Sequence, residues 1–173
     1  MKKLVVLLVL LTAFTTSFAQ MQQKIGFVDT QIILTQYPAA IKASSDLENM
    51  ASRWRASIDS MTVEIQTEYE NYQKQQATMT PEKQREIQQQ LLVKDQRLQQ
   101  FNQQKFGQGG ELALKQEELM APIREKIYTA IEAVGADEGM QFVFDKAGDV
   151  LLLYADPAYD LTFKVLDKLK TQK

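Results

Sequence analysis

The chain has 173 residues, of which 45% are hydrophobic and 24% charged, and its 22 acidic residues outnumber its 20 basic ones. This acidic balance disfavours general binding to nucleic acid or to anionic membrane surfaces, which requires an excess of basic residues. Cysteine and histidine are both absent, which excludes disulfide bridges, thiol catalysis and the usual soft-metal ligands. We therefore expect no cofactor and no metal site.

Residues 1–19 have the pattern of a secretory signal peptide. Lys2 and Lys3 make a basic start, Leu4–Leu11 is an unbroken apolar run, and Ser17-Phe18-Ala19 supplies small residues for cleavage. The run is too short for a good membrane span and no later segment is suitable, so stable membrane insertion is not expected. The predicted mature chain is exported and soluble, with a net charge of about −4 once both lysines are lost.

A short strand is predicted directly after the signal peptide. Residues 24–29 favour a strand that carries Ile25 and Phe27 on one face. Asp29 or Thr30 can then cap a short helical turn, which a following proline ends.

Two long helical patterns fold back on each other within residues 41–119. Thr80, Pro81 and Glu82 form a helix start between them: a hydroxyl N-cap, a proline at the first position and a carboxylate on the positive helix end. Apolar residues of the first pattern repeat about every eleven residues, which favours a nearly straight pairing of helices. This first stripe consists of Leu47, Met50, Trp54, Ile58, Met61, Ile65, Tyr69 and Tyr72. The second stripe, nearer to heptad spacing, consists of Ile87, Leu91, Lys94, Leu98, Phe101 and Lys105. The pair predicts an antiparallel helical hairpin arm.

The rings and thioethers of the first stripe have two interpretations. Packing in the seam between the helices is one of them. The other is an adaptable apolar surface for a flexible partner chain, since methionine and aromatic side chains can adjust to varied shapes. The candidate residues for that surface are Met50, Trp54, Met61, Tyr69 and Tyr72.

Three glycines interrupt the second helical pattern. Gly107, Gly109 and Gly110 each cost a helix about 1 kcal/mol relative to alanine. They predict either a hinge in the arm or a static kink where the arm enters the rest of the protein. The helix resumes at Leu112, Pro122 either kinks it or starts a fresh helix, and Gly135 and Gly139 end it.

The tail predicts strands again. Residues 140–144 and 150–154 favour two strands that a turn would join into a β-hairpin paired with the first strand. A last amphipathic helix carries Leu161, Val165, Leu166 and Leu169.

Residues 20–40 and 120–173 together form the predicted β-body. A body of this size is short for an independent core and usually needs a metal, disulfides or partner chains. Because cysteine and histidine are absent, we expect partner chains, and hence a homo-oligomer.

Catalytic motifs are lacking. The sequence contains no Gly-x-Ser-x-Gly elbow, and the glycine cluster lacks the following Gly-Lys-Ser/Thr of a phosphate-binding loop. Neither an enzyme nor an ATP-driven mechanism is therefore expected.

Short motifs in the first strand and in the tail resemble a known family. They are Ile25-Gly26-Phe27-Val28-Asp29, Phe142-Val143-Phe144-Asp145 and Leu151-Leu152-Leu153-Tyr154. Together with the signal peptide, the long polar hairpin and the C-terminal helix, they resemble the OmpH/Skp family of periplasmic chaperones over nearly the whole mature chain. Gly109-Gly110-Glu111-Leu112 is similar to members from Bacteroidetes-type bacteria.

The resemblance implies an α+β homotrimer in the periplasm. Strands from three chains would build a small β-body, and the hairpin arms would enclose a cavity that holds unfolded outer-membrane proteins without ATP. By position, the β-body and oligomerisation residues would be Ile25, Phe27, Phe142, Phe144 and Leu152. The best-known members are basic whereas this chain is acidic, so no lipopolysaccharide site is assigned. The alternative function is that of a structural or adaptor coiled coil of the cell envelope.

Overall fold

A computed structural model describes residues 23–148 and 152–171, so the predicted signal peptide lies outside the described residues. The elements in chain order are β1 (Ile25–Val28), α1 (Thr30–Gln36), α2 (Pro38–Gln75), a 3-10 turn (Gln76–Thr78), α3 (Pro81–Phe106), α4 (Glu111–Asp137), β2 (Phe142–Asp145), a second 3-10 turn (Pro157–Tyr159) and α5 (Thr162–Thr171). α3 and α4 both pack along α2, so together they form the returning limb of the hairpin.

The predicted helical hairpin is confirmed. α2 has 38 residues and spans about 57 Å. The Thr80 hydroxyl accepts a hydrogen bond from the Lys83 amide and thereby caps the start of α3, as the sequence predicts. At the tip, the Gln84 side chain donates to the carbonyls of Gln76 and Met79, which holds the turn between the two limbs.

The seam between the limbs follows the two predicted stripes. Every residue of both stripes is at least partly buried except Tyr69, which is 46% exposed. α3 contributes no fully buried residue, and Tyr72 is the only one that α2 contributes beyond Ala51. A two-helix ribbon has a single face to bury, so the distal arm is mostly surface.

The two strands pair in parallel, which differs from the predicted β-hairpin. β1 lies beside β2 with Ile25 opposite Phe142 and Phe27 opposite Phe144. Residues 152–154 are not in a strand, and residues 149–151 lie outside the described part of the chain, so the hairpin prediction is wrong for the residues that can be compared.

The route of α4 explains the parallel direction. This helix returns the chain to the beginning of β1, where the Gln141 amide donates to the Lys24 carbonyl. A strand that starts beside the start of β1 and pairs with it must run the same way. At the far end, Asp145 accepts hydrogen bonds from the amide and the hydroxyl of Thr30, so side-chain bonds hold the turn after β2.

The core of the body lies under β1, between α1, α4 and α5. Its fully buried aliphatic residues include Val28, Ile33, Leu161, Val165 and Leu166. Each such side chain contributes about 1.5–3 kcal/mol by leaving water. The four apolar residues predicted for the last amphipathic segment are all buried, although Leu161 precedes the helix.

One prediction for α4 needs correction, and one of the two alternatives for Pro122 is excluded. Gly135 does not end the helix but lies buried inside it, where a Cβ would come within 3.2 Å of the Val143 side chain. The absence of a side chain at Gly135 therefore lets α4 and β2 pack closely. Gly139, with φ of 68°, follows the helix end as predicted. Pro122 lies inside α4 and starts no fresh helix.

Candidate functional site

The distal arm presents two flanks of different chemistry. One flank, here called the amide flank, forms a groove of about 570 Å³ between α2 and α3. Its outer side chains are Gln66, Tyr69, Gln73, Gln76, Gln88, Leu92 and Asp95. The other, here called the charged flank, carries ion pairs between the limbs as well as amides. Its side chains are Glu64, Glu68, Asn71, Gln75, Gln90, Val93, Lys94 and Arg97.

Lys94 organises the charged flank. Its ammonium group, on α3, forms ion pairs with both Glu64 (2.6 Å) and Glu68 on α2. The hydrogen bond and the charge of Lys94 hold the pKa of Glu64 below its ordinary value, and hydrogen bonds to both glutamates raise the pKa of Lys94. Ion pairs within the chain therefore balance much of the charge on this flank.

The five candidate residues for partner binding lie in different environments. Met50, Trp54 and Met61 are half-buried in the seam, and Tyr72 is only 6% exposed with its hydroxyl accepting a hydrogen bond from Gln88 (2.7 Å). Tyr69 alone among them presents a large part of its side chain to solvent, on the amide flank. Packing in the seam thus accounts for most of these five residues. Tyr69 is the one whose side chain is exposed enough to contact a partner chain.

Sequence reasoning missed several exposed apolar residues of the arm, and two of them are neighbours on α3. Leu92 is 56% exposed on the amide flank, and its neighbour Val93 is 47% exposed on the charged flank. Both lie outside the seam stripe. Because they interrupt a glutamine-rich helix surface, their exposure could have been inferred from the helical spacing.

Trp54 belongs to a cluster at the base of the arm. Its ring meets Phe106 edge-on with centroids 6.0 Å apart, and the Lys105 ammonium lies 4.8 Å from the Trp54 ring centroid. Lys105 also forms an ion pair with Glu111 at the start of α4. The cluster therefore ties α2, α3 and α4 together through aromatic and cation–π contacts.

The glycine segment forms a tight turn within the returning limb. Gly107 ends α3 with its amide bonded to the Gln103 carbonyl, and the Gly110 amide donates to the Gly107 carbonyl. Gly109 has φ of 70°, a backbone conformation that glycine adopts without strain. α2 runs unbroken past this turn, so bending here requires α2 to bend as well. This geometry favours the static kink, and the hinge stays a prediction.

The candidate oligomerisation residues leave apolar surface on the body. Ile25, Phe142 and Phe144 are 46%, 53% and 39% exposed, whereas Phe27 is buried within the chain and Leu152 is half-buried. A groove of about 360 Å³ adjoins them along α4 and β2. It is lined mainly by Tyr128, Ile131, Gly135, Met140, Phe142 and Val143. Within the described residues, one chain thus leaves much of this face of its sheet uncovered.

The described residues contain neither a candidate membrane span nor a candidate metal site. Among residues 23–148 and 152–171, no helix combines the length and hydropathy of a bilayer span. The same residues contain no group of three or more acidic side chains arranged to hold a metal ion.

Comparison with known proteins gives one family and one fold. A search of curated proteins finds no significant match. A crystal structure of an OmpH-like protein from Caulobacter crescentus CB15, described as a candidate outer membrane chaperone, is similar with a TM-score of 0.73 at 14% identity. The likeness covers 87% of this chain and 86% of that one, and at this identity it shows a shared fold. The family described as outer membrane protein (OmpH-like) matches residues 24–169. This match extends from β1 to α5, and the chain belongs to the OmpH-like family.

Proposed function

We propose that the protein is an ATP-independent holdase chaperone of the periplasm that binds unfolded outer-membrane proteins, its clients, and prevents their aggregation. The observation that carries the proposal is the arm itself. Its distal half buries almost nothing beyond the seam, yet it presents a long groove with exposed Tyr69 and Leu92. Such a surface suits weak contacts with many different chains.

Membership of the OmpH-like family supports the same function. The similar protein from Caulobacter crescentus is described as a candidate outer membrane chaperone, and the shared fold extends over most of both chains. The signal-peptide pattern of residues 1–19 agrees with a periplasmic location. No catalytic step is part of the proposal.

The proposal includes a homotrimer in which the β-bodies associate. Exposed Ile25, Phe142 and Phe144 on a two-stranded sheet support it, because contact between chains would remove this apolar surface from water. Three such bodies in contact would cover this apolar face and direct three arms to one side, around a shared space for the client.

An aggregation assay tests the function. A transmembrane β-barrel protein denatured in urea is diluted into buffer with and without the purified mature protein, and light scattering is recorded. If the protein is a holdase, it lowers the scattering without any nucleotide. The reduction increases with the concentration of the protein. A structural or adaptor protein of the envelope would leave the scattering unchanged, and that result would overturn the proposal.

A further inference from the structure

We propose that clients dock on the amide flank of the arm, and that this flank selects extended segments with alternating apolar and uncharged side chains. The inference rests on the proposed holdase function and specifies which surface and which client chemistry serve it. Three properties of the arm carry it: the charge of the flanks, the dimensions of the groove and the small apolar area.

Charge distinguishes the two flanks. Asp95 is the one charged residue among the described residues that line the amide flank, and it already accepts a hydrogen bond from Gln99 (2.7 Å). The opposite flank carries the Lys94 ion pairs and Arg97. A segment laid across the charged flank would have to displace water from several ionised groups, which is costly. A segment on the amide flank would meet fewer ionised groups: Asp95 in the groove, and Glu70, which accepts a hydrogen bond from Gln66 (3.0 Å).

The groove suits an extended chain. Glutamine side chains offer both a donor and an acceptor, so they can bond to the amides and carbonyls of a client backbone of any sequence. Tyr69 and Leu92 supply an apolar contact between these amides. From residue 65 to residue 76 the groove runs about 17 Å along α2, the length of roughly five residues of an extended strand. Alternate side chains of such a strand would face the arm.

A second copy of the arm does not fit this flank. A stable interface between proteins buries about 800 Å² on each partner. Within the described chain the amide flank offers only two large exposed apolar side chains, Tyr69 and Leu92, separated by amides. A short flexible segment, which needs far less area for a weak and reversible contact, is the occupant that matches.

Neighbouring residues on opposite flanks provide a matched test. Leu92→Glu places a carboxylate on the amide flank, and Val93→Glu places the same charge one residue away on the charged flank. The probe is a fluorescein-labelled β-barrel protein diluted from urea, with binding followed by fluorescence anisotropy. We expect Leu92→Glu to weaken binding by at least about tenfold, the factor that corresponds to burying a leucine. Val93→Glu should stay within about twofold of the parent. Equal losses, or a larger loss for Val93→Glu, would overturn the proposal.

Site-specific crosslinking tests the docking surface without the glutamate substitutions, so its result does not depend on whether those variants fold. The natural chain has no cysteine, so single variants can be labelled uniquely with a benzophenone maleimide. Gln73→Cys lies on the amide flank and Gln75→Cys on the charged flank, both on α2. We expect client crosslinks several-fold stronger from position 73. Crosslinks that favour position 75, or that join two arms instead, would contradict the docking surface.

The selected client chemistry has its own probe. Two labelled peptides of about twelve residues are compared, one alternating Leu and Ser and the other with Glu in place of three Ser residues. The uncharged peptide should bind several-fold more tightly, and equal binding would overturn the selectivity. A parent protein that binds no denatured barrel refutes the proposed function itself, whereas binding without preference between the flanks refutes this inference alone.

Discussion

At the scale of single residues, Lys94 shows how a solvent-exposed contact can still organise the arm. It joins α3 to two glutamates of α2, so it links residues that are far apart in sequence and close in the hairpin. Lys83, whose side chain is more exposed than that of Lys94, pairs with Glu86 within α3 alone. Exposed pairs contribute little to stability at neutral pH because water and salt screen them.

The pH dependence of the Lys94 bridge follows from the pKa shifts of its partners. The folded pKa of Glu64 lies below the ordinary 4.5, so its stabilisation is present above that pH and is lost as pH falls through the folded pKa. The folded pKa of Lys94 lies above 10.5, so its stabilisation is present below that pH and is lost as pH rises through the folded value. The bridge should therefore contribute over the whole range between these two values.

A lysine substitution checks this range. Lys94→Met should lower the melting temperature slightly at pH 7, and the parent and the variant should converge as the pH falls through the folded pKa of Glu64, which lies below its ordinary value. Thermal melting followed by circular dichroism from pH 3 to pH 8 measures the difference. Lys83→Met is the matched control within one limb. A difference that grows towards acid pH would contradict the assignment.

At the scale of elements, the turn between α3 and α4 decides how stiff the arm is. Its glycines are held by backbone hydrogen bonds, and an added Cβ at Gly107 would clash with the Gln103 carbonyl oxygen. A flexible hinge predicts that alanine at all three glycines stabilises the helix. The observed turn predicts the opposite, because alanine is strained at positive φ and has no space at Gly107.

Single substitutions at Gly109 isolate the backbone effect. Gly109 has open space around its Cβ position, so only its φ of 70° opposes a side chain. Gly109→Ala should destabilise the protein by about 1–2 kcal/mol, whereas Gly109→Asn should cost less because asparagine tolerates this conformation. Urea denaturation compares the two. Equal stability of the parent and Gly109→Ala would support a hinge, as would selective loss of large clients in the triple alanine variant.

At the scale of the whole molecule, folding and assembly are expected to be coupled. One chain leaves Phe142 and Phe144 exposed beside a groove on its small sheet. Burying such a phenylalanine between chains contributes about 2–3 kcal/mol for each side chain. A substitution on this face should therefore affect the oligomeric state more than one on the arm.

The trimer prediction is checked by sedimentation. Phe142→Asp should release unfolded or loosely packed monomers, since the charge would be buried at the interface without a partner. Val63→Asp, at a position on the arm that is 65% exposed, is the control and should leave the assembly intact. A well-folded monomer of the parent protein would contradict the coupling of folding to assembly.

Client binding by the assembled protein should depend weakly on salt. The predicted mature chain has a net charge of only about −4 and the charged flank pairs its own lysine, so no strong field attracts clients. Raising the salt from low to moderate concentration should reduce the affinity only modestly, because screening acts mainly on exposed charges. Trp54, the single tryptophan, provides a fluorescence signal for the titration. A steep loss of affinity would instead indicate electrostatic capture.

Several features could be predicted from the sequence because they depend on neighbours along the chain. The seam stripes, the Thr80 cap and the apolar face around Leu166 all follow from helical spacing and from local hydrogen bonding. The interruption at the three glycines is equally local, since glycine disfavours a helix wherever it occurs. These properties need no knowledge of where distant segments lie.

Tertiary structure decided what depends on where the chain returns. The parallel pairing of β2 with β1 arises because α4 brings residue 141 back to Lys24, and no local pattern encodes that route. Gly135 is buried by a contact with Val143, although its local context resembles a helix end. The contrast between Leu92 and Val93 likewise depends on the residues that α2 places opposite each of them. Helical and strand spacing specify which residues share a face, and only packing specifies what that face meets.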